Sequence, residues 1–421
     1  MKSIIIICLT FCLFAFTQGD THNWEQKAYY GGGNIFSATS FTVGDYAYVG
    51  AGCNSITHSS SGYKKFLYRY DPSLDVWKRM IDLPNSAESR SDAIGFSIEG
   101  KGYVCGGKKW VLATLYQSML SDVWEYNPET NLWYQRTSFP RQIKQGIGFS
   151  IGSKAYVGLG LKGVTDPSGG FECTPDIMND FYEFDPIKNK WTQLKDFPGA
   201  PRYDCIGFSM NGKGYVGLGH TDMYRDPEIT FKDFWEYDPS TDNWTRLPDI
   251  PGEGRGHAIG FGVDGCCYVG MGSINDFYKY DLSKREWTSL NYLPGGARNS
   301  SYSFCVGSNI YYGGGFEIAG SMQSDLWKYS TTNVMALTTS EKLKFKCYPN
   351  PTNDQLTIEM SGNHPMSRLK LTDMDGKVIY ENNRSLGSMA ILDLSPFKKG
   401  NYLLIIEDKK GMLLTEKIVK N

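Results

Sequence analysis

CIGFSMNGKGYVGLG at residues 205–219, followed by DFWEYDPSTDNW at residues 233–244, decides the fold, because the same four-part phrase recurs along the chain. Its parts are an inner strand, a strand ending in glycines, an aromatic strand and a strand carrying tryptophan. AIGFSI (93–98), KGYVCGG (101–107), DVWEYNP (122–128) and Trp133 form one copy. GIGFSI (146–151), KAYVGLG (154–160), DFYEFDP (180–186) and Trp191 form the next, and AIGFGV (258–263), CCYVGMG (266–272), DFYKYDL (276–282) and Trp287 a later one. A more divergent first copy holds FTV (41–43), YAYVGAG (46–52), LYRYDP (67–72) and Trp77. The sixth has YSFCV (302–306), NIYYGGG (309–315) and DLWKYS (325–330), then stops short of a tryptophan strand. Trp24 stands alone ahead of the first copy, so the N-terminal segment is expected to supply the missing strand and close a ring of six blades.

Periods of roughly 40 to 50 residues with four strands each mean a propeller, since one small sheet cannot bury both faces alone and must stack on its neighbours. Trp235 and Tyr237, two residues apart on a strand, share a face and fill the space between blades. Asp-Pro pairs at Asp71, Asp185 and Asp238 read as turns into the tryptophan strand. The glycine-ended second strand, the aromatic pair and the spaced Tyr and Trp resemble kelch repeats over residues 24–330. That resemblance implies an all-β, six-bladed kelch-type propeller and, for activity, a partner-binding module more often than an enzyme.

The two ends differ from the repeats. Lys2 followed by an apolar run at residues 4–16 and Thr17-Gln18-Gly19 reads as a cleaved export signal over residues 1–19, too short to span a bilayer. The propeller is expected over residues 22–332 and a linker over 333–342. Residues 343–421 alternate with a strand period and carry Asp375-Gly376 and Lys410-Gly411 as hairpin turns, which predicts a small immunoglobulin-like β-sandwich. Tyr348-Pro349-Asn350-Pro351, Asp375-Gly376-Lys377, Lys399-Gly400-Asn401-Tyr402-Leu403 and Lys417-Ile418-Val419-Lys420 resemble the type A sorting domain of the type IX secretion system of Bacteroidota. The resemblance implies the secretion machinery as a partner, passage through the outer membrane, and a secreted or cell-surface protein whose tail is removed.

Composition excludes several classes. Forty-three Lys and Arg against 45 Asp and Glu give a formal net charge of −2, no footprint for nucleic acid or anionic membrane. No later segment is apolar and long enough for a transmembrane helix. Beyond the leader, Cys105, Cys205, Cys266 and Cys305 fall inside repeat strands where a small apolar residue serves equally, and Cys53, Cys173, Cys267 and Cys347 complete the set; their number alone does not establish disulfides. With no CxxC pair and scattered histidines, neither a metal nor a cofactor is expected. Asp373-Met374-Asp375-Gly376 opens like a calcium loop, but Arg384 stands where the bidentate acid belongs. Gly148-Phe149-Ser150-Ile151-Gly152 spells a hydrolase motif, yet it sits on an inner strand whose serine recurs at Ser97 and Ser209. The GLGLKG at 158–163 lacks the helix that a dinucleotide site requires. Galactose oxidase shares the propeller type, but its copper site has no counterpart among His58, His220 and His257.

Arginine supplies the candidate binding set. Arg90, Arg202, Arg255 and Arg298 each stand five residues ahead of the Gly or Ser that precedes an inner-strand Phe, with Arg141 in a shifted place. On that spacing they either rim the axial mouth, where forked hydrogen bonds hold a carboxylate, or bond neighbouring loop carbonyls as scaffold. His257 and His220 are candidates for the same mouth. Long loops between the second and third strands, with Tyr63, Trp110, Tyr116, Phe171, Met223 and Tyr224, present a recognition surface on the same face. The leading expectation is an exported propeller that binds a protein or glycan there without chemistry of its own. One alternative, by resemblance to kelch-type sialic acid epimerases, is an enzyme acting on an acidic sugar, with His257 or Asp204 moving protons. Another is a structural adhesion component.

Overall fold

A computed structural model describes residues 23–55, 60–111, 116–163, 176–221, 229–317, 320–331, 345–360, 366–373, 377–382, 386–408 and 413–421. The chain divides into two units, Met1–Asn333 and Val334–Asn421. Among the described residues no helix is long and apolar enough to cross a membrane.

Among the described residues of the first unit, six four-stranded antiparallel sheets form the blades. In the fourth blade the order from the axis outward is Ile206–Met210, Lys213–Gly217, Phe234–Asp238 and Asn243–Leu247. Period-two alternation sorts the inner strand: Ile206, Phe208 and Met210 are buried between blades, while Gly207 and Ser209 line the axis. Gly207 is required because six inner strands converge there, and a Cβ on it would lie 2.5 Å from that of Ile147 in the preceding blade.

Aromatic rings fill the gaps between sheets. Phe208 stacks on Tyr215 at 5.4 Å, and Trp244 meets Phe181 of the preceding blade at 5.1 Å. Each outer strand is fixed by a Tyr or Phe opposite the tryptophan: Tyr70 with Trp77, Tyr126 with Trp133, Phe184 with Trp191, Tyr237 with Trp244 and Tyr280 with Trp287. Trp24 faces Tyr329 in the same register, within the strand Trp24–Lys27 paired to Leu326–Ser330. The N-terminal strand thus closes the ring, as the orphan tryptophan predicts. The Asp-Pro turns also form as read: Asp238 accepts the backbone N–H of Ser240 at 2.9 Å and its hydroxyl at 2.6 Å.

The second unit packs a sheet of Phe345–Tyr348, Gln355–Met360 and Met389–Asp393 with a sheet of Val378–Asn382, Met366–Asp373, Gly400–Asp408 and Leu413–Lys420. Leu356, Ile358, Leu371, Leu404, Ile406 and Ile418 form its core. Two of the sequence signatures meet here. Asn350 donates to the carbonyl of Lys417 at 2.7 Å and accepts the N–H of Val419 at 2.9 Å, and the Lys420 ammonium is buried against the carbonyls of Leu394 and Phe397.

Candidate binding site at the axial mouth

Just before each inner strand the propeller chain passes through one residue with left-handed backbone: Ser37 (φ 51°), Asp92 (56°), Gln145 (53°), Asp204 (49°), His257 (56°) and Ser300 (55°). None is glycine, so each such turn costs on the order of 1 kcal/mol. The cost is offset by a run of five backbone hydrogen bonds between successive lip residues. Asp92 donates to Ser37 at 3.0 Å, Gln145 to Asp92 at 3.1 Å, Asp204 to Gln145 at 3.0 Å, His257 to Asp204 at 3.1 Å, and Ser37 to Ser300 at 2.7 Å. Blade by blade, this lip presents Ser, Asp, Gln, Asp, His and Ser to a pocket of about 160 Å³ on the axis. Beneath the lip lies a collar of small residues, Ala93, Gly146, Cys205, Ala258 and Ser301. A channel of about 510 Å³, lined by inner-strand residues such as Ser97, Gly148, Ser209 and Ser303, continues below.

The guanidiniums named from the sequence do not form the rim. Arg90, Arg202, Arg255 and Arg298 are at most 1% exposed. Arg90 clasps both carboxylate oxygens of Asp122 at 2.7 Å and the carbonyl of Gly106 at 3.0 Å. Arg202 does the same with Asp233 (2.6 and 2.9 Å) and the carbonyl of Leu218. Arg255 holds Asp276, and Arg298 holds Asp325 and the carbonyl of Gly314. Arg141, from its shifted place, reaches Asp180 and the carbonyl of Leu159. Burial opposes ionisation of Asp122 and Asp233, but the arginines and the indole N–H groups of Trp124 and Trp235 outweigh it and hold both below the ordinary carboxylate range. These arginines have the scaffold role, staples between the second-strand glycines and the start of the third strand. The first blade has Ile35 in the arginine slot and Phe66 where the aspartate would stand, so staple and partner are absent together.

His220 and His257 do meet at the mouth. The residue after each glycine pair lies beside the lip, paired through backbone bridges such as Ser91 with Lys108 and Tyr203 with His220. These two slots bring their side chains together in blades 2 and 4. In blade 2 they carry Asp92 and Lys108, whose ammonium is 3.1 Å from the carboxylate. Burial alone would raise the Asp92 pKa, but Lys108, Lys144 and hydrogen bonds from Ser37 and Ser91 bring it down to about 2. In blade 4 the same slots carry Asp204 and His220, and blade 5 adds His257. Asp204 Oδ2 lies 3.4 Å from His220 Nε2 and 3.4 Å from His257 Nδ1, and accepts the Gln145 amide at 2.7 Å. Lys144, beside Gln145, is partly buried; burial first, then the field of Lys108, pushes its pKa down.

Other motifs have structural roles. Ser150 donates to the Ser97 carbonyl on the neighbouring inner strand, and GLGLKG runs into a two-stranded ribbon, Leu161–Lys162 with Asp176–Ile177. Ribbons Lys108–Val111 with Tyr116–Met119 and His220–Thr221 with Ile229–Thr230 rise on the mouth's face. Of the candidate loop residues, Tyr63 is buried and Trp110 half-buried; Phe171, Met223, Tyr224 and the side chain of Tyr116 lie outside the described residues. Cys53, Cys105, Cys205, Cys266, Cys267, Cys305 and Cys347 are free thiols, while Cys173 lies outside the described residues.

Residues 346–421 match the family described as secretion system C-terminal sorting domain. The tail is a secretion sorting domain. Ahead of it, the propeller is similar to N-acetylneuraminate epimerase of Haemophilus influenzae (strain PittEE), 28% identical over 53% of this chain and 49% of that protein. It is similar too to N-acetylneuraminate epimerase of Pasteurella multocida (strain Pm70), 34% identical over 27% of this chain and 26% of that one. Kelch-like protein 25 of Xenopus tropicalis is 25% identical over 44% of this chain and 27% of its own length. The chain thus spans between a quarter and about half of these relatives. The solved structure of YjhT superposes with a TM-score of 0.59 at 17% identity, covering 72% of this chain and 96% of that one, which establishes the shared propeller fold.

Proposed function

We propose that this secreted kelch-type propeller is a glycan-binding protein that takes a carboxylate-bearing sugar into its axial mouth. The observation that carries the reading is the polar lip with two lysines beside it and an imbalance of partners. Lys108 is closely paired with Asp92, whereas Lys144 forms no ion pair among the described residues and feels the Asp92 and Asp204 carboxylates only at longer range. A partly desolvated ammonium near a second one gains from any anion that arrives between them. The lip adds serine hydroxyls and the Gln145 amide for sugar hydroxyls, and the ribbons beside it supply a wall for the rest of a chain. Removal from the cell by the sorting tail brings such a site to extracellular glycans.

A second reading, mutarotation of an acidic sugar, is favoured by the epimerase names of the relatives and by Asp204 standing between two imidazoles, a group placed to shuttle a proton. The experiment is a calorimetric titration with N-acetylneuraminate, alongside NMR of its anomer exchange. Saturable binding without faster exchange supports the binding module. Faster exchange that Asp204→Asn abolishes supports the enzyme. Failure of both to respond to any lip substitution removes the site.

A further inference from the structure

We infer that Asp204, His220 and His257 form a binding site for a divalent transition-metal ion of the zinc class, with one coordination position open to the axial pocket. The inference stands on the side-chain geometry and does not require the acidic-sugar reading. Zinc bonds to imidazole nitrogen and carboxylate oxygen are about 2.0–2.2 Å long, so the edges of a tetrahedral site are roughly 3.3–3.5 Å. Asp204 Oδ2 is 3.4 Å from both His220 Nε2 and His257 Nδ1. That is an edge length, longer than the ~2.7–2.9 Å of a charge-assisted hydrogen bond. All three ligand atoms lie within 4.8 Å of one another. Two imidazoles and one carboxylate are a donor set for zinc and its neighbours rather than for calcium or magnesium.

The surroundings hold these donors in place before any ion arrives. Asp204 and His257 are consecutive members of the lip, both left-handed and joined by the N–H to carbonyl bond of 3.1 Å. His220 exchanges two backbone hydrogen bonds of 3.1 Å with Tyr203, whose ring lies 4.1 Å from the imidazole. Room for that imidazole comes from Gly256, where a Cβ would fall 2.8 Å from His220 Cε1. The Gln145 amide donates to Asp204 at 2.7 Å and orients the carboxylate from the second layer. Asp204 and His257 also line the pocket, so the fourth position faces water or a bound oxygen ligand, the arrangement of a reactive rather than a closed structural site.

The test is zinc binding by the full chain after chelator treatment, followed by dialysis against zinc and by the visible spectrum of the cobalt form. We expect one tightly held equivalent and a four-coordinate cobalt spectrum without thiolate charge-transfer bands. Asp204→Asn or His257→Ala should weaken affinity by more than about 100-fold, and Gln145→Ala by about 10- to 100-fold. Lys144→Met removes a positive charge that acts on Asp204, so it should raise metal affinity slightly while weakening sugar binding, and the opposite signs separate this site from the sugar reading. Thermal melts of the variants identify any that fail to fold, and His220→Gln provides a third ligand deletion. Equal affinity in wild type and in Asp204→Asn/His257→Ala, or a spectrum dominated by thiolate bands, would overturn the site and leave the triad a hydrogen-bonding cluster.

Discussion

Blade 2 and blade 4 place two side chains at the same point on the lip, and only one of the pairs is closed. Asp92 and Lys108 neutralise each other at 3.1 Å. Asp204 and His220 stand in the matching slots at 3.4 Å, and His257 from the next blade joins them. The backbone is alike in both: left-handed lip residue, hydrogen bond to the preceding lip, bridge to the residue after the glycines. Repetition fixes where two groups meet, and residue identity then decides whether the corner is an internal ion pair or a place for a ligand.

The largest effect should come from what the two blades share. Arg90→Ala and Arg202→Ala each remove a fully buried guanidinium and leave a partly buried aspartate without its partner, and each should cost about 3–5 kcal/mol in urea denaturation. Equal losses in the two blades would confirm the arginines as staples; a small loss at Arg202 with a loss of ligand would return that residue to the mouth.

A smaller effect separates the corners. Asp92 has a folded pKa held to about 2, below its value in the unfolded chain, so its contribution is full above pH 4 and is lost as pH falls towards 2. Lys108→Met should remove part of that, on the order of 1–2 kcal/mol at pH 7, and move acid unfolding to higher pH. Asp204→Asn should change stability by less than about 1 kcal/mol, because its corner holds no closed ion pair. Similar losses in both would erase the distinction.

The smallest change in stability, and the sharpest in function, should follow from exchanging the slots. His220→Lys turns the blade 4 corner into a copy of blade 2, with melting shifted by only a few degrees and metal affinity gone. Lys108→His should not create a second site, because the next lip residue is Gln145 rather than histidine. Zinc uptake by Lys108→His would show that the neighbouring blade is dispensable.

The fold was legible because a repeat reports each contact six times: the tryptophan–tyrosine register that holds for Trp77 and Tyr70 also places Trp24 against Tyr329. The site was less legible for two reasons. Arg202 and Asp204 are two residues apart, which on a strand means one side, but the left-handed turn at Asp204 sends the arginine into the blade and the aspartate to the axis. A partner count would have revealed the staple, since blade 1 lacks both arginine and aspartate. His220 and His257 look scattered along the chain; aligned by slot, they are the residue after the glycine pair of one blade and the lip of the next.

The most direct test of the account is binding of the full chain to an array of matched acidic and neutral glycans, in wild type and in Lys144→Met. Carboxylated glycans alone should be retained, with retention reduced at least tenfold in Lys144→Met and the melting temperature unchanged. Preference for neutral glycans, or binding indifferent to Lys144, would contradict it.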